Sequence, residues 1–273
     1  MKKRLGLHIR IQSSFAQLLE KMEHLDIPFF QCFFVTQATG KLITITPQEE
    51  NYFLHERRRR FQYLFCHGSY WINLASLGNN GYRSLLQEIA LAKRLEFTHF
   101  VLHAGTAKGA VNKSQGIDAL AFCLNSVIKK ERDIVFLLEN TCHGNLAVGS
   151  DITDFKQVLE KIDKPERIGF CIDTAHAYSF GYKITDQQSQ LDFIRLLDAT
   201  LGLDRIKLIH LNDSAESFSS RIDRHAVFGK GKIGFETLVQ FAQQPLLQHI
   251  PIILEMPELA LEEEKLILKE LCK

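Results

Sequence analysis

Residues 167–176 read RIGFCIDTAH: one charge, five residues without any, then Asp173 and, three positions on, His176. A run this short and this apolar has the pattern of a parallel strand buried on both faces. Seven other runs share it: RLGLHIRI (4–11), PFFQCFF (28–34), FQYLFC (61–66), FTHFVLH (97–103), DIVFLLE (133–139), RIKLIH (205–210) and PIILE (251–255). Amphipathic stretches such as 84–95 and 115–129 lie between them, and leucines at helical spacing fill 258–271. Eight such alternations in 273 residues, with no Pro/Gly/Ser-rich linker, predict an α/β chain folded as one (β/α)8 TIM-barrel domain over 1–273.

The polar residues are in phase with that alternation. From the third run onward the apolar stretches end in His67, His103, Glu139, Asp173, His210 and Glu255, at intervals of 36, 36, 34, 37 and 45 residues. In this fold the carboxyl ends of the strands converge on one mouth, where reacting groups belong. One histidine ending a strand is ordinarily a satisfied core residue. Six strand ends in a row, all His, Glu or Asp, point to a site. Three further candidates stand beside them: His176, and the alternating Asp223 and His225 of SRIDRH, in a long connection over 211–234. Five histidines and four carboxylates without a thiolate suit catalytic zinc, with manganese or iron as substitutes. Nine donors exceed one ion, and two or three ions sharing bridging carboxylates suit the splitting of a phosphoester.

Composition narrows the partner. Lys and Arg total 33 against 32 Asp and Glu, a formal +1, which excludes binding by a general basic excess and excludes a mostly disordered acidic chain. The start, MKKRLGLHIRI, is basic but lacks the apolar core of a signal peptide, so it reads as the first strand. No stretch approaches the roughly 18 apolar residues of a membrane helix. The six cysteines lack CxxC spacing and read as buried free thiols of a reducing, cytoplasmic compartment.

The segments CHGSYWINL, FVLHAGT, LLENT, GFCIDTAHAYSFGY, IHLNDS, SRIDRH, GKGKIG and IILEMP resemble, in order, the motifs of the endonuclease IV family. That family comprises zinc-dependent apurinic/apyrimidinic endonucleases of the xylose-isomerase-like TIM-barrel group. The resemblance implies three zinc ions: one on His67, His103 and a bridging Glu139, a second among Glu139, Asp173, His210 and Glu255, a third on His176, Asp223 and His225. It also implies cleavage of double-stranded DNA 5′ to an abasic site, leaving a 3′-hydroxyl, with Glu139 and Glu255 as catalytic carboxylates. Tyr70 and Trp71 match positions that fill the gap left by a flipped nucleotide. A monomer suits a barrel that must clamp DNA.

The chain also departs from the pattern. HAGT stands where the family usually has His-Pro-Gly-Ser, and ENTCHGNLAVG where it has Glu-Asn-Thr-Ala-Gly-Gln-Gly. The loop VTQATGK (35–41) is short and weakly basic where an Arg-bearing, DNA-inserting loop is common. Arg221, Arg224, Lys230 and Lys232 share the connection that carries Asp223 and His225 and are expected to contact phosphates. GKGKIG (229–234) fits GxGxxG, but only 18 residues follow Glu255, too few for a dinucleotide-binding half; its glycines are expected to turn tightly near a phosphate. The basic run 57–60 is expected to be a solvated helix end on the far side of the barrel.

Two other functions compete. A sugar isomerase or epimerase on a related barrel needs one or two metals on Glu139, Asp173, His210 and Glu255, and leaves the other five donors without a shared purpose. A damage-binding module that no longer cuts has no need of Glu139 and Glu255.

Overall fold

A computed structural model describes residues 1–11, 14–78 and 81–272. Eight parallel strands close into a barrel: β1 (Leu5–His8), β2 (Phe30–Phe33), β3 (Phe65–His67), β4 (His99–His103), β5 (Val135–Glu139), β6 (Ile168–Asp173), β7 (Ile206–His210) and β8 (Ile252–Leu254), with β8 pairing β1 to complete the ring. Around it run α1 (Phe15–Leu25), α2 (Pro47–Arg60), α3 (Tyr82–Arg94), α4 (Lys113–Lys130), α5 (Thr153–Leu159), α6 (Thr174–Phe180), α7 (Gln187–Leu201), α8 (Phe235–Ala242) and α9 (Leu261–Leu271). The chain forms a single TIM-barrel domain. No described helix is long and apolar enough to cross a membrane.

The strands are shorter than the apolar runs because parts of each run leave the ladder to pack against helices. FQYLFC contributes only Phe65 and Cys66 to β3, while Phe61 and Leu64 are buried outside it. β6 is the opposite case, with all six residues buried. Phenylalanines fill the space between the first helices and the sheet: Phe15 meets Phe53 with ring centroids 4.8 Å apart, and Phe34 meets Phe97 at the same distance. Such pairs contribute about 0.5–1.5 kcal/mol each beyond their area burial.

Register matters most at the mouth. His103 is the direct partner of Glu139, Asp173 of His210, and His8 of Gln31, so these residues stand side by side in neighbouring strands. Two short antiparallel hairpins decorate the same end. One joins Val35–Thr36 to Lys41–Leu42, and the other joins Asp213–Ser214 to His225–Ala226. Of SRIDRH, only His225 lies in the second.

The basic run 57–60 needs a correction. α2 begins with a capping box, in which Thr46 and Glu49 satisfy each other's backbone N–H groups, and it ends in four arginines. Arg57 is not solvated. It is buried and donates to the carbonyls of Glu96 and Phe61, tying the helix end to the turn before β4. Arg58 pairs with Glu96 and Arg59 with Glu56, so the run holds the end of the barrel away from the mouth. The cysteines follow expectation at five positions, all buried and free, whereas Cys272 is free but exposed.

Candidate metal centre

Glu139, at the end of β5, is fully buried and is the hub of the mouth. Its Oε2 lies 3.0 Å from His67 Nε2 and 3.2 Å from His103 Nε2, and its Oε1 lies 3.0 Å from His210 Nδ1 and 3.4 Å from His176 Nδ1. His210 Nδ1 is also 3.1 Å from Glu255 Oε2 and 3.9 Å from Asp173 Oδ2. Asp223 Oδ1 approaches His176 Nε2 at 3.1 Å and His225 Nε2 at 3.6 Å, and His225 Nε2 lies 3.5 Å from Asp173 Oδ2. All nine candidate donors therefore form one contiguous cluster. Among the described residues three groups have donor atoms within 4.8 Å of one another: His67, Glu139, His210 and Glu255; His103, Glu139 and His176; Asp173, His176 and His225.

The histidines are oriented by what lies behind them. His67 Nδ1 donates to the carbonyl of Gly68 at 2.8 Å, and His225 Nδ1 to the carbonyl of Glu255 at 2.8 Å. A carbonyl can only accept, so each Nδ1 carries a proton and Nε2 is the nitrogen turned to the cluster. His225 Nε2 is buried without any hydrogen-bond partner. That orphaned nitrogen, inside a set of oxygen and nitrogen donors lacking thiolate, fits a cluster of divalent metal ions.

The charges are mutually enforced. Burial alone pushes the Glu139 carboxyl up, but His210 and His103 outweigh it and hold it well below the usual range. Glu255 behaves alike, with burial opposed by His210 and His8. Burial pushes the His176 imidazole down, yet Asp173 and Asp223 hold it well above its ordinary value. Asp223, raised by burial, is brought far below its ordinary value by His176 and His225. The cluster favours charged forms that a cation can replace.

The cluster opens into a cavity of about 400 Å³ whose walls include Arg10, Phe33, Tyr70, Arg224 and Met256. Tyr70 stands 67% exposed above it and Trp71 is 53% exposed. The indole donates to the Gln37 carbonyl at 3.0 Å, and Gly40 packs so close to its ring that a Cβ there would lie 2.9 Å from it. The hairpin of VTQATGK thus supports Trp71, while the Tyr70 N–H donates to Gln37 Oε1 at 3.4 Å and its ring packs against Phe33. Residues 48–271 match the xylose isomerase-like TIM barrel family. A protein named probable endonuclease 4 from Thermosipho africanus is 32% identical over 93% of this chain and 92% of its own length.

The chain belongs to the endonuclease IV family.

It is also 31% identical, over 74% of its length but 34% of the relative's, to a protein of Plasmodium falciparum named apurinic-apyrimidinic endonuclease 1. The crystal structure of endonuclease IV from Thermus thermophilus superposes with a TM-score of 0.85 at 27% identity, covering 98% of this chain and 97% of that one.

Some expected residues of this endonuclease IV family member lie apart from the cavity. Arg221 has a left-handed backbone (φ 63°) and its guanidinium lies 3.8 Å over the Phe180 ring, whereas Arg224 lines the cavity and reaches Glu216 at 3.3 Å. Lys230 and Lys232 are exposed but do not line the cavity. The GKGKIG backbone is not turned toward a phosphate. Its Gly231 and Ile233 N–H groups donate to the Asp213 carboxylate at 2.8 and 2.9 Å, so an internal anion fills that nest.

Four residues escaped the sequence reading. His8 ends β1, Gln31 lies within β2, and both touch Glu255; the runs continue past them, which hid their place at the rim. Asn140 and Asn212 follow Glu139 and His210 within quoted motifs. Asn140 Oδ1 accepts the Asp173 N–H at 2.7 Å, and Asn212 Nδ2 donates to Asp173 Oδ2 at 2.5 Å. Their type and spacing were the available signal.

Proposed function

We propose that this protein is a metal-dependent phosphodiesterase that cuts double-stranded DNA 5′ to abasic sites and leaves a 3′-hydroxyl. The observation that carries the proposal is the convergence of nine nitrogen and oxygen donors around Glu139. The names of its relatives, endonuclease 4 and apurinic-apyrimidinic endonuclease, support DNA as the substrate.

In this proposal His67, His103, Glu139, Asp173, His176, His210, Asp223, His225 and Glu255 hold three zinc ions, with manganese or iron as substitutes. When bound, such ions supply Lewis acidity at the phosphoryl group and lower the pKa of water. Glu139, which His67, His103, His176 and His210 surround, would be the carboxylate these ions share. Glu255, at the cavity wall, orients the attacking water and takes its proton. The partly exposed rim of the cavity leaves the scissile phosphate room to enter above Glu255. Tyr70, exposed and aromatic, fills the space vacated by the flipped sugar, with Trp71 offering a second stacking face. Arg224 takes a phosphate at the cavity, and Arg221, Lys230 and Lys232 take others farther along the strand. The protein acts as a monomer in a reducing, cytoplasmic setting.

An isomerase has no use for His67, His103, His176, Asp223 and His225 in the same cluster. A duplex with one abasic site decides between the functions when it is combined with metal analysis. Three bound metals and incision 5′ to the lesion are expected. Fewer than two metals, with an intact duplex, would reject the proposal. Glu255→Gln should abolish cutting while DNA binding persists, whereas a module that only binds damage shows no cutting even in the unsubstituted protein.

A further inference from the structure

β1 and β2 neither carry nor lead directly into any of the nine donors, yet both reach the cluster. Gln31, on β2, is fully buried, and its amide faces the cluster with both atoms engaged. Gln31 Oε1 lies 2.9 Å from His210 Nε2, and Gln31 Nε2 lies 2.6 Å from Glu255 Oε1. The orientation of the amide is fixed by these partners, because a carboxylate can only accept and the amide nitrogen can only donate. The amide oxygen must then accept the His210 Nε2–H, which makes His210 Nδ1, facing Glu139 and Glu255, the nitrogen whose proton a metal would displace.

His8 completes the arrangement from β1. Its Nδ1 is 3.0 Å from Glu255 Oε1 and 2.9 Å from Gln31 Nε2. Both nitrogens reach the same carboxylate oxygen, and two donors on one acceptor satisfy the triangle. Glu255 is gripped on its other side, where Asn212 Nδ2 lies 3.3 Å from Oε2 and Asn212 Oδ1 accepts the Glu255 N–H at 2.7 Å. The carboxylate plane is thereby fixed from both sides.

We infer that Gln31 is a positioning residue that uses one amide to set the tautomer of His210 and to clamp Glu255, with His8 as the second donor to that carboxylate. The inference rests on the metal-dependent function proposed above. It assigns to β1 and β2 a share in the centre to which they contribute no donor. Partners behind a metal-binding histidine typically change metal affinity by about 10–100-fold when removed.

The test is the pair Gln31→Leu and Gln31→Glu, with zinc affinity read by competition against a chromophoric chelator and kcat and KM measured separately on a duplex with one abasic site. Gln31→Leu removes both contacts at similar volume; zinc affinity should fall about 10–100-fold, and kcat should fall at saturating zinc while KM stays within about twofold. Gln31→Glu keeps an acceptor opposite His210 but loses the amide donor facing Glu255, so zinc affinity should largely return while kcat does not. A purely structural role would instead lower the unfolding midpoint of the metal-free protein in both variants and leave their zinc affinities alike. Unchanged zinc affinity in Gln31→Leu, or full kcat in Gln31→Glu, would overturn the inference. If the unsubstituted protein binds zinc but does not cut the duplex, the proposed function fails, and the affinity difference between the two variants still decides the role of Gln31.

Discussion

The Asp213 carboxylate accepts the backbone N–H of Gly231 at 2.8 Å, across the base of the loop that carries Asp223 and His225. Ile233 donates to the same carboxylate at 2.9 Å, and Gly234 adds longer contacts at 3.3 Å. The approach requires glycine at 231, where a Cβ would meet the Ser214 carbonyl at 2.4 Å. A side-chain anion thus performs the office that GxGxxG loops reserve for a phosphate. Asp213→Ala leaves these N–H groups without their acceptor, at about 1–3 kcal/mol for each buried group that finds no substitute. The unfolding midpoint should fall, and the Gly231 and Ile233 amides should exchange hydrogen faster. Unchanged exchange would show that the loop is held by other contacts.

Metal uptake should be steeply pH-dependent. Burial pushes His176 and His210 down, but the carboxylates around them hold both well above the ordinary imidazole value of 6.5 in the metal-free protein. A metal must displace those protons, so binding releases protons and strengthens as pH rises. Because the folded values are raised, apparent zinc affinity should keep climbing through neutral pH instead of levelling just above 6.5. Competition titrations at several pH values check this, and a flat profile above pH 7 would contradict it. The same protons bear on stability: the imidazolium–carboxylate pairs stabilise the metal-free fold fully below pH 6.5 and cease to do so as pH rises through the raised values.

His99, at the start of β4 and remote from the mouth, gives the opposite sign. Burial, aided by Lys207, pushes its imidazole down to about 4, and it packs against the Phe65 ring at 4.8 Å. The unfolded chain takes up a proton near pH 6.5 that the folded chain refuses until about 4. The contribution of His99 is therefore complete above pH 6.5 and is lost as pH falls toward 4. His99→Phe should shrink the drop in urea midpoint between pH 7.5 and pH 5. An equal drop in both proteins would assign the loss to other groups.

Tyr70→Ala should raise KM for an abasic duplex by roughly tenfold, in line with about 1–3 kcal/mol for a lost aromatic–base stack. Trp71→Ala should do the same and also loosen the hairpin that accepts its indole N–H through Gln37. A fluorescent base opposite the lesion reports the unstacking directly. No change in either signal with Tyr70→Ala would remove the wedge role.

Arg10 and Arg224 line the cavity, whereas Arg58 pairs with Glu96 away from the mouth. Removing either cavity arginine should weaken duplex binding and reduce the slope of log affinity against log salt by about 1, the loss of one phosphate contact. Arg58→Ala should leave the slope unchanged. Equal effects of all three would mean that binding responds to overall charge and not to the mouth.

Much of this protein was legible from its chain alone. Strand period, helix period and the phase of six polar strand ends identify the barrel and its mouth, because alternation and burial are local properties that leave a one-dimensional trace. The nine candidate donors are likewise visible, as residue types at fixed positions in the βα repeat. Pairing is not. That His67 and His210 meet the two oxygens of Glu139 depends on closure of the ring, which brings together residues 72 and 71 apart in sequence, and that Asp213 fills the glycine loop depends on how the connection after β7 folds back on itself. Arg57 reads as solvated because charge patterning carries no information about nearby carbonyls from another turn. Gln31 and His8 went unnoticed for the same reason: each is an unremarkable polar residue inside an apolar run until the first two strands are placed against the last, and only then does their hydrogen bonding to Glu255 exist.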